Sequence, residues 1–422
     1  MAYLPLDLDC NIQQWQCSAL LNADIAAQIR RAMMLQGFKW DTQVGDVNTL
    51  APFALILPAQ TWQQLAHLAE CLTQEMLQAE AELQARPDLW QALGLPRSLR
   101  QAMSQPEPWT PAAARVIRFD FHPTPDGWRI SEANSDVPGG YTEASNLCKW
   151  MAEELPGTIP AGDPAGTLAD ALANQVPSGG HIAFLSAPGY LEDQQITEYL
   201  AQLVQQRGCA AHLATPDQVQ WQDGIAYLHG QPLDSILRFY QGEWLPRSPQ
   251  QQWVQFFRGG QTPVCNPGSA LLTESKRFPL VWHHLQTALP TWNALLPPTR
   301  KPRHVNWLRA SHWLLKTAYC NTGDTVTMRG VAKRRTYLKA ISQALLMPQQ
   351  WIAQQQFESL TIATPWGIMY PCVGVYTING KAAGIYGRMA PQPLINFAAI
   401  DVAILIQDTA RQGATNELSN SV

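Results

Sequence analysis

The chain has 422 residues, 46% of them hydrophobic and 15% charged, with a formal net charge of −4; this balance excludes a disordered polypeptide and predicts a folded globular protein. At this length a single core stops growing, so two or three lobes are expected. No basic stripe points to nucleic acid and no apolar run reaches the ~18 residues of a membrane span, so neither nucleic acid nor membrane is expected as a partner.

The amino terminus, MAYLPLDLDC, has no charged leader ahead of an apolar run. The eight cysteines form no C-x-x-C, which argues against a zinc site and a disulfide framework. Free thiols without a leader predict a cytoplasmic protein. Residues from about 22 to 108 read as helices. In TWQQLAHLAECLTQEMLQAEAELQA the apolar residues recur at three- and four-residue spacing, with Thr61 as the cap, and RPDLWQALGLP breaks the helix.

The next segment, RVIRFDFHPTPDGWRISEANSD, carries the main chemical signal. Arg118 and Asp120 are two residues apart, as are Glu132 and Asn134, so within an extended strand each pair presents both side chains on one face. The Pro, Asp and Gly of HPTPDGW reverse the chain between them. A hairpin would gather Arg118, Asp120, Glu132 and Asn134 on one surface. Three oxygen donors beside a guanidinium suit Mg²⁺ carrying nucleotide phosphates. The competing reading is an ordinary hairpin with charges on its solvent face. The apolar residues Val116, Ile117, Phe119, Ile130 and Ala133 tilt the choice towards a central strand pair. A Pro-Gly-Gly loop, DVPGGYTEAS, follows and leads into a helix.

Beyond a loop rich in Gly, Pro and Ala with a short helix at TLADALANQ, a small α/β unit is expected. HIAFLSA reads as a buried strand, EDQQITEYLAQLVQQRG as a helix, CAAHLAT as a second strand, and GIAYLHGQPLDSILRFYQ as a hairpin leading into a third. Strand–helix–strand order implies parallel pairing, and the lack of G-x-G-x-x-G argues against a dinucleotide. From about residue 304, strand-like and helical segments alternate: VNWLRAS, WLLKTAY, TYLKAISQAL, WIAQQQF, GIMYPCVGVYTINGKAAGIYGRMA and DVAILIQDTAR. Lys333, Arg334 and Arg335 form the one short basic cluster, read as a solvated helix start.

These segments, in this order, resemble the glutathionylspermidine synthase family, a circularly permuted branch of the ATP-grasp ligases. The R-x-D and E-x-N pairs match its metal-binding hairpin. LLTESKRFPLVW is similar to its first nucleotide-lysine segment, LLKTAYCNTGDTV to its second lysine and glycine-containing lid, WIAQQQF to its adenine strand, and VYTINGKAAGIYGRMA to its late hairpin. The resemblance spans residues 30 to 405. It implies a mixed α+β and α/β chain: an ATP-grasp fold with an inserted, small Rossmann-like pre-ATP-grasp domain. Residues 1–180 would hold the helical region and metal-binding hairpin, 181–262 the small α/β domain, 263–410 the nucleotide-binding lobes, and 411–422 a flexible tail.

Carried over by position, the family implies that Asp120, Glu132 and Asn134 hold two Mg²⁺ ions. Arg118 and Arg388 would act on the transferred phosphoryl group or the tetrahedral intermediate. Lys276 and Lys316 would contact ATP phosphates, Thr322 and Gly323 would belong to the lid, and Gln354, Gln355 and Gln356 would lie by the adenine. Glu192 and Asp193 match an acidic pair near the amine site. Each position also has a plainer reading. Lys276 could cap or solvate a helix, the glutamine run could act through its backbone, and Glu192 and Asp193 could be acids at a helix start. Lys316 sits in the apolar WLLKTAY, where an unpaired ammonium is costly, which favours a role.

The implied activity is ADP-forming amide synthesis from a small-molecule or peptide carboxylate and an amine. Phosphoryl transfer needs positioning and charge neutralisation more than a covalent nucleophile. Two alternatives stay open: a non-catalytic ATP-binding scaffold, and a phosphotransferase that stops at phosphorylation. YCNTGDT has a single glycine where the family lid has more. DVPGGYTEAS differs from the family's substrate loop, and no amidase domain is present, so product hydrolysis is not expected.

Overall fold

The computed structural model describes residues 6–40, 42–44, 47–105, 112–248, 250–307, 309, 312–319, 326–396 and 398–408. Thr322, Gly323 and the tail from 411 lie outside the described residues. The chain is a mixed α/β fold with several sheets.

Among the described residues the largest sheet has nine strands and takes them from both ends of the chain. Its main path runs Gln16–Cys17, Leu50–Leu57, Ile400–Gln407, Lys381–Ala390, Gly367–Ile378, Val116–Thr124 and Gly127–Asn134; Thr158–Pro160 and Ile362–Thr364 pair off it. Leu50–Leu57 is parallel to Ile400–Gln407, and the other neighbours on the path are antiparallel. Asn379 and Gly380, both at positive φ, form the two-residue turn that joins the long hairpin, the backbone that a tight hairpin turn demands.

The strand Leu50–Leu57 corrects the all-helical reading of residues 22 to 108. LAPFALIL is an eight-residue apolar run buried on both faces, which fits a central strand rather than an amphipathic helix. Pro52, which cannot donate to a ladder, falls where pairing is irregular, between Leu50↔Asp401 and Ala54↔Ala403.

The helix Ala59–Gln84 covers one face of this sheet. Leu65, Leu68, Leu72 and Met76 pack in one core with Phe119, Phe121, Val373 and Val375. The helix starts two residues before the expected cap: Pro58 is the N-cap, and Thr61 is buried inside the first turn.

The small unit forms as the sequence order predicts. Val264–Cys265, Ser235–Phe239, His181–Ser186 and Ala210–Ala214 make a parallel sheet in that spatial order, with Leu191–Gln205 the helix between the second pair in sequence. A third element group pairs Thr299–Arg300, Trp351–Gln355 and Trp313–Thr317, beside the helix Arg334–Leu346. VNWLRAS, read as strand-like, has no strand in its described part. Trp307 turns back to donate its indole N–H to the Pro302 carbonyl at 2.9 Å.

Candidate active site

The turn between the two site strands is tight. Gly127 has φ +89, and a Cβ there would meet the Leu8 carbonyl oxygen at 2.3 Å. The strands set Arg118 opposite Asn134 and Asp120 opposite Glu132, although a regular ladder counted from the turn would set Asp120 opposite Ser131. The register then shifts, with Phe121 opposite Ile130, so Ser131 is an extra, bulged residue. Bulges re-aim groups near functional sites. Here the Ser131 carbonyl accepts from Lys316 Nζ at 2.8 Å, and its hydroxyl lies 3.1 Å from His122 Nε2.

Burial decides against a solvent-facing hairpin. All nine residues of Val116–Thr124 are buried, with Asp120 only 1% exposed. Arg118 donates to both Asp120 oxygens, at 2.7 and 3.2 Å, and Arg388 donates to Oδ2 at 2.6 Å. The Asn134 amide N–H reaches Asp120 Oδ2 at 3.4 Å. Burial alone would raise the Asp120 pKa, but Arg118 and then Arg388 overcome it and hold the carboxyl well below its usual range. Glu132 is likewise lowered, burial being outweighed chiefly by Lys276, whose ammonium is 3.1 Å away. His122 is pushed down to about 4, burial disfavouring its imidazolium.

Lys276, Lys316, Glu132, Ser131 and Gln354 line one pocket open to solvent. Phe278, Pro279, Trp292 and Leu296 supply its apolar wall, and Glu274 completes the polar side. Phe278 and Trp292 pack edge-to-face with centroids 5.5 Å apart. Gln354 is buried and donates to Thr299 Oγ1 at 3.1 Å. Gln355 and Gln356 are not among the lining residues; their backbone N–H groups bond to the Pro298 and His312 carbonyls. Glu192 and Asp193 occupy the first turn of Leu191–Gln205 and do not line this pocket.

Three contributors escaped the sequence reading. Tyr386 lies between the two guanidiniums, its ring centroid 5.2 Å from Arg118 and 5.4 Å from Arg388, and donates to Asp401 Oδ1 at 2.6 Å. Its position two residues before Arg388 on a strand was a usable signal. Gly374 faces Asp120, and a Cβ there would come 2.8 Å from Arg118 Cδ. Glu274 accepts from the backbone N–H groups of Ser135 and Asp136 at 2.5 and 3.1 Å, pinning the loop after the hairpin. Burial first of all pushes its carboxyl up to about 8.

Among the described residues no three His, Cys, Asp or Glu side chains gather as a metal cage. Two opposed carboxylates and an amide are what the hairpin supplies. That hard-oxygen set fits Mg²⁺, which is held by one or two carboxylates together with substrate phosphates.

No curated protein matches the chain in sequence. Among solved structures, a glutathione synthetase-like effector from Globodera pallida is similar at a TM-score of 0.63 and 12% identity, over 94% of this chain and 98% of that one. That likeness establishes a shared fold. A putative gamma-glutamylcysteine synthetase from Methylobacillus flagellatus is similar at a TM-score of 0.43 and 11% identity, over 79% and 87% of the two chains. The glutathionylspermidine synthase preATP-grasp family matches residues 22–404, and the chain belongs to that family.

Proposed function

We propose that the protein is an ATP- and Mg²⁺-dependent, ADP-forming ligase that joins a carboxylate to an amine. The observation that carries this reading is that Glu132, paired across the hairpin with Asp120, meets two buried lysines at one pocket that has an apolar wall. Phe278, Trp292 and Leu296 offer a surface for the adenine, and Gln354 an amide at its edge. Lys276 and Lys316 face the polyphosphate. Asp120, Glu132 and Asn134 would hold the Mg²⁺ ions, which when bound neutralise phosphate charge.

A substrate carboxylate oxygen attacks the γ-phosphorus, the bond to the β,γ-bridging oxygen breaks, and ADP leaves. The amine nitrogen then attacks the acyl carbon, inorganic phosphate departs, and the nitrogen loses its proton. Arg118 and Arg388 stabilise the charge that develops in both steps, so no serine or cysteine nucleophile is required. The reading extends to architecture: a permuted ATP-grasp core with the small parallel unit inserted, in which Thr322 and Gly323 belong to the lid. It also places the protein in the cytoplasm, where ATP is supplied.

The test is a panel of acids and amines scored for ADP and phosphate release, with hydroxylamine present in parallel to trap an acyl phosphate as its hydroxamate. Release that needs both an acid and an amine supports the ligase. ADP with a stable phosphorylated product would replace it with a phosphotransferase, and ATP binding without any turnover would replace it with a scaffold.

A further inference from the structure

Charge is segregated along this chain. Residues 275–357 carry 12 lysines and arginines against one acidic residue, Asp324, a surplus of 11 positive charges; with a net charge of −4 overall, the remainder carries −15. Lys276, Arg277 and Lys316 are buried. The other nine are exposed, and among the described residues none of those nine forms an ion pair. They lie on the lobe built from the three-stranded sheet and the Arg334–Leu346 helix. Arg303 donates to the Leu345 carbonyl at 3.1 and 3.3 Å, so the Arg300–Arg303 end is fastened to the carboxyl end of the helix.

The helix itself holds its charges where they harm it. Lys333 is the N-cap, Arg334 and Arg335 open the first turn, no acid stands there, and no basic residue stands in the last turn. That is the reverse of what the helix dipole favours. Local stability therefore gives no reason for this placement. The same outer face exposes large aliphatic side chains, Leu338, Leu345, Met347 and above all Leu346 at 78%, while Tyr337, Ala340 and Ala344 face inward.

We infer that this face is a docking surface for an anionic lipid bilayer. Clustered lysines and arginines are drawn to acidic headgroups, and leucines beside them enter the headgroup–acyl boundary. Nucleic acid would satisfy the charges, but stacking on bases calls for aromatic planes rather than exposed leucines. Among the described residues no helix is long and apolar enough to cross a membrane, and a peripheral contact needs none. The inference stands apart from the ligase reading, because none of the nine exposed cations lines the pocket.

The experiment is co-sedimentation of the full chain with vesicles of phosphatidylcholine alone and with phosphatidylglycerol added. Binding is expected only with the anionic vesicles, weakening on the order of tenfold or more as salt screens the charges. Arg334→Glu with Arg335→Glu should abolish it while leaving the melting temperature unchanged or higher, since acids suit a helix start. Leu345→Ser with Leu346→Ser should remove the salt-resistant part. No binding to anionic vesicles overturns the inference. So does binding that ignores the leucine change while duplex DNA binds as tightly, which would assign the face to nucleic acid.

Discussion

Glu132→Gln is the substitution that best separates chemistry from folding at this site. The Lys276 ammonium lies 3.1 Å from Glu132 Oε2, a gross attraction of about 5 kcal/mol at an effective dielectric near 20. Glu132 also stands opposite Asp120. At the ~5–6 Å separation of directly opposed side chains, two carboxylates repel by about 3 kcal/mol on the same scale. Glutamine forfeits the first term, relieves the second and spares the desolvation of an anion. The net change in stability should therefore stay within about 2 kcal/mol, a shift of a few degrees by scanning fluorimetry. Turnover should fall by ~10²–10³, as when one electrostatic stabiliser is removed, with half-saturation by Mg²⁺ moved upward. The assay is ADP release titrated with Mg²⁺. A variant within a factor of two of the parent, at an unchanged Mg²⁺ requirement, would take Glu132 out of the reaction and the hairpin reading with it. Asp120 is a poorer probe, because removing it strands two buried guanidiniums at a cost of ~3–5 kcal/mol, and lost activity would then say little.

Lys316→Met removes the bond to the Ser131 carbonyl and should weaken ATP binding by at least ~10-fold in calorimetry, with ~1–3 kcal/mol of stability lost from the unpaired acceptor; undiminished affinity would exclude Lys316 from the phosphate site. Arg388→Lys keeps the charge but loses the planar group that both reaches Asp120 and stacks on Tyr386, so kcat should drop ~10²-fold with little change in KM for ATP. Gly374→Ala places a methyl 2.8 Å from Arg118 Cδ and should cost ~1–3 kcal/mol of stability through overpacking, together with most activity; an unaffected variant would deny the tight fit. For His122, the folded pKa of about 4 lies below the ordinary value of 6.5. The unfolded chain therefore binds the proton first, so stability is full above pH 6.5 and is lost as pH falls from 6.5 towards 4, by on the order of 3 kcal/mol. Urea midpoints across that range should flatten in His122→Gln.

How much of this was readable from residues alone depends on the range of the interaction. The hairpin was legible because its signals are local: a Pro-Asp-Gly turn and two pairs at period two. Its burial was not, since what covers Asp120 is Arg388, a residue from far along the chain. Leu50–Leu57 was lost among helices because its parallel partner, Ile400–Gln407, comes from the other end of the sequence. The same distance explains Gly374, whose importance appears only when the neighbouring strand sets it against Arg118. The basic lobe is the opposite case. Its charge was in plain sight between residues 275 and 357, hidden by averaging over a chain whose net charge is small. The glutamine run shows the limit of carrying a motif over by position. Only Gln354 reaches the pocket: strand alternation turns Gln355 to the other face, and Gln356 lies beyond the end of the strand.

On the proposed reading, the bulge at Ser131 would let the site admit a nucleotide. Strict pairing would have kept that carbonyl in the ladder; released, it is held by the tip of Lys316, while Glu132 next to it is held by the tip of Lys276. Lys276 is itself tied to the smaller lobe, its backbone N–H bonding to the Ala318 carbonyl at 2.9 Å and the Arg277 guanidinium bonding to the Pro348 and Trp351 carbonyls. Among the described residues, two long, flexible side chains and no strand ladder reach this part of the sheet edge from the lobe side, each through a charge-assisted bond of roughly 1.5–3 kcal/mol. On the proposed reading, a polyphosphate entering between them gives both ammoniums new oxygen partners and frees Glu132 to face a metal. Charge-assisted bonds are exchanged, not created from nothing, so the barrier to admitting the nucleotide stays low. A scaffold that merely held the lobes together would be served better by a continuous ladder, and among the described residues none joins the edge strand Gly127–Asn134 to the three-stranded sheet of the lobe.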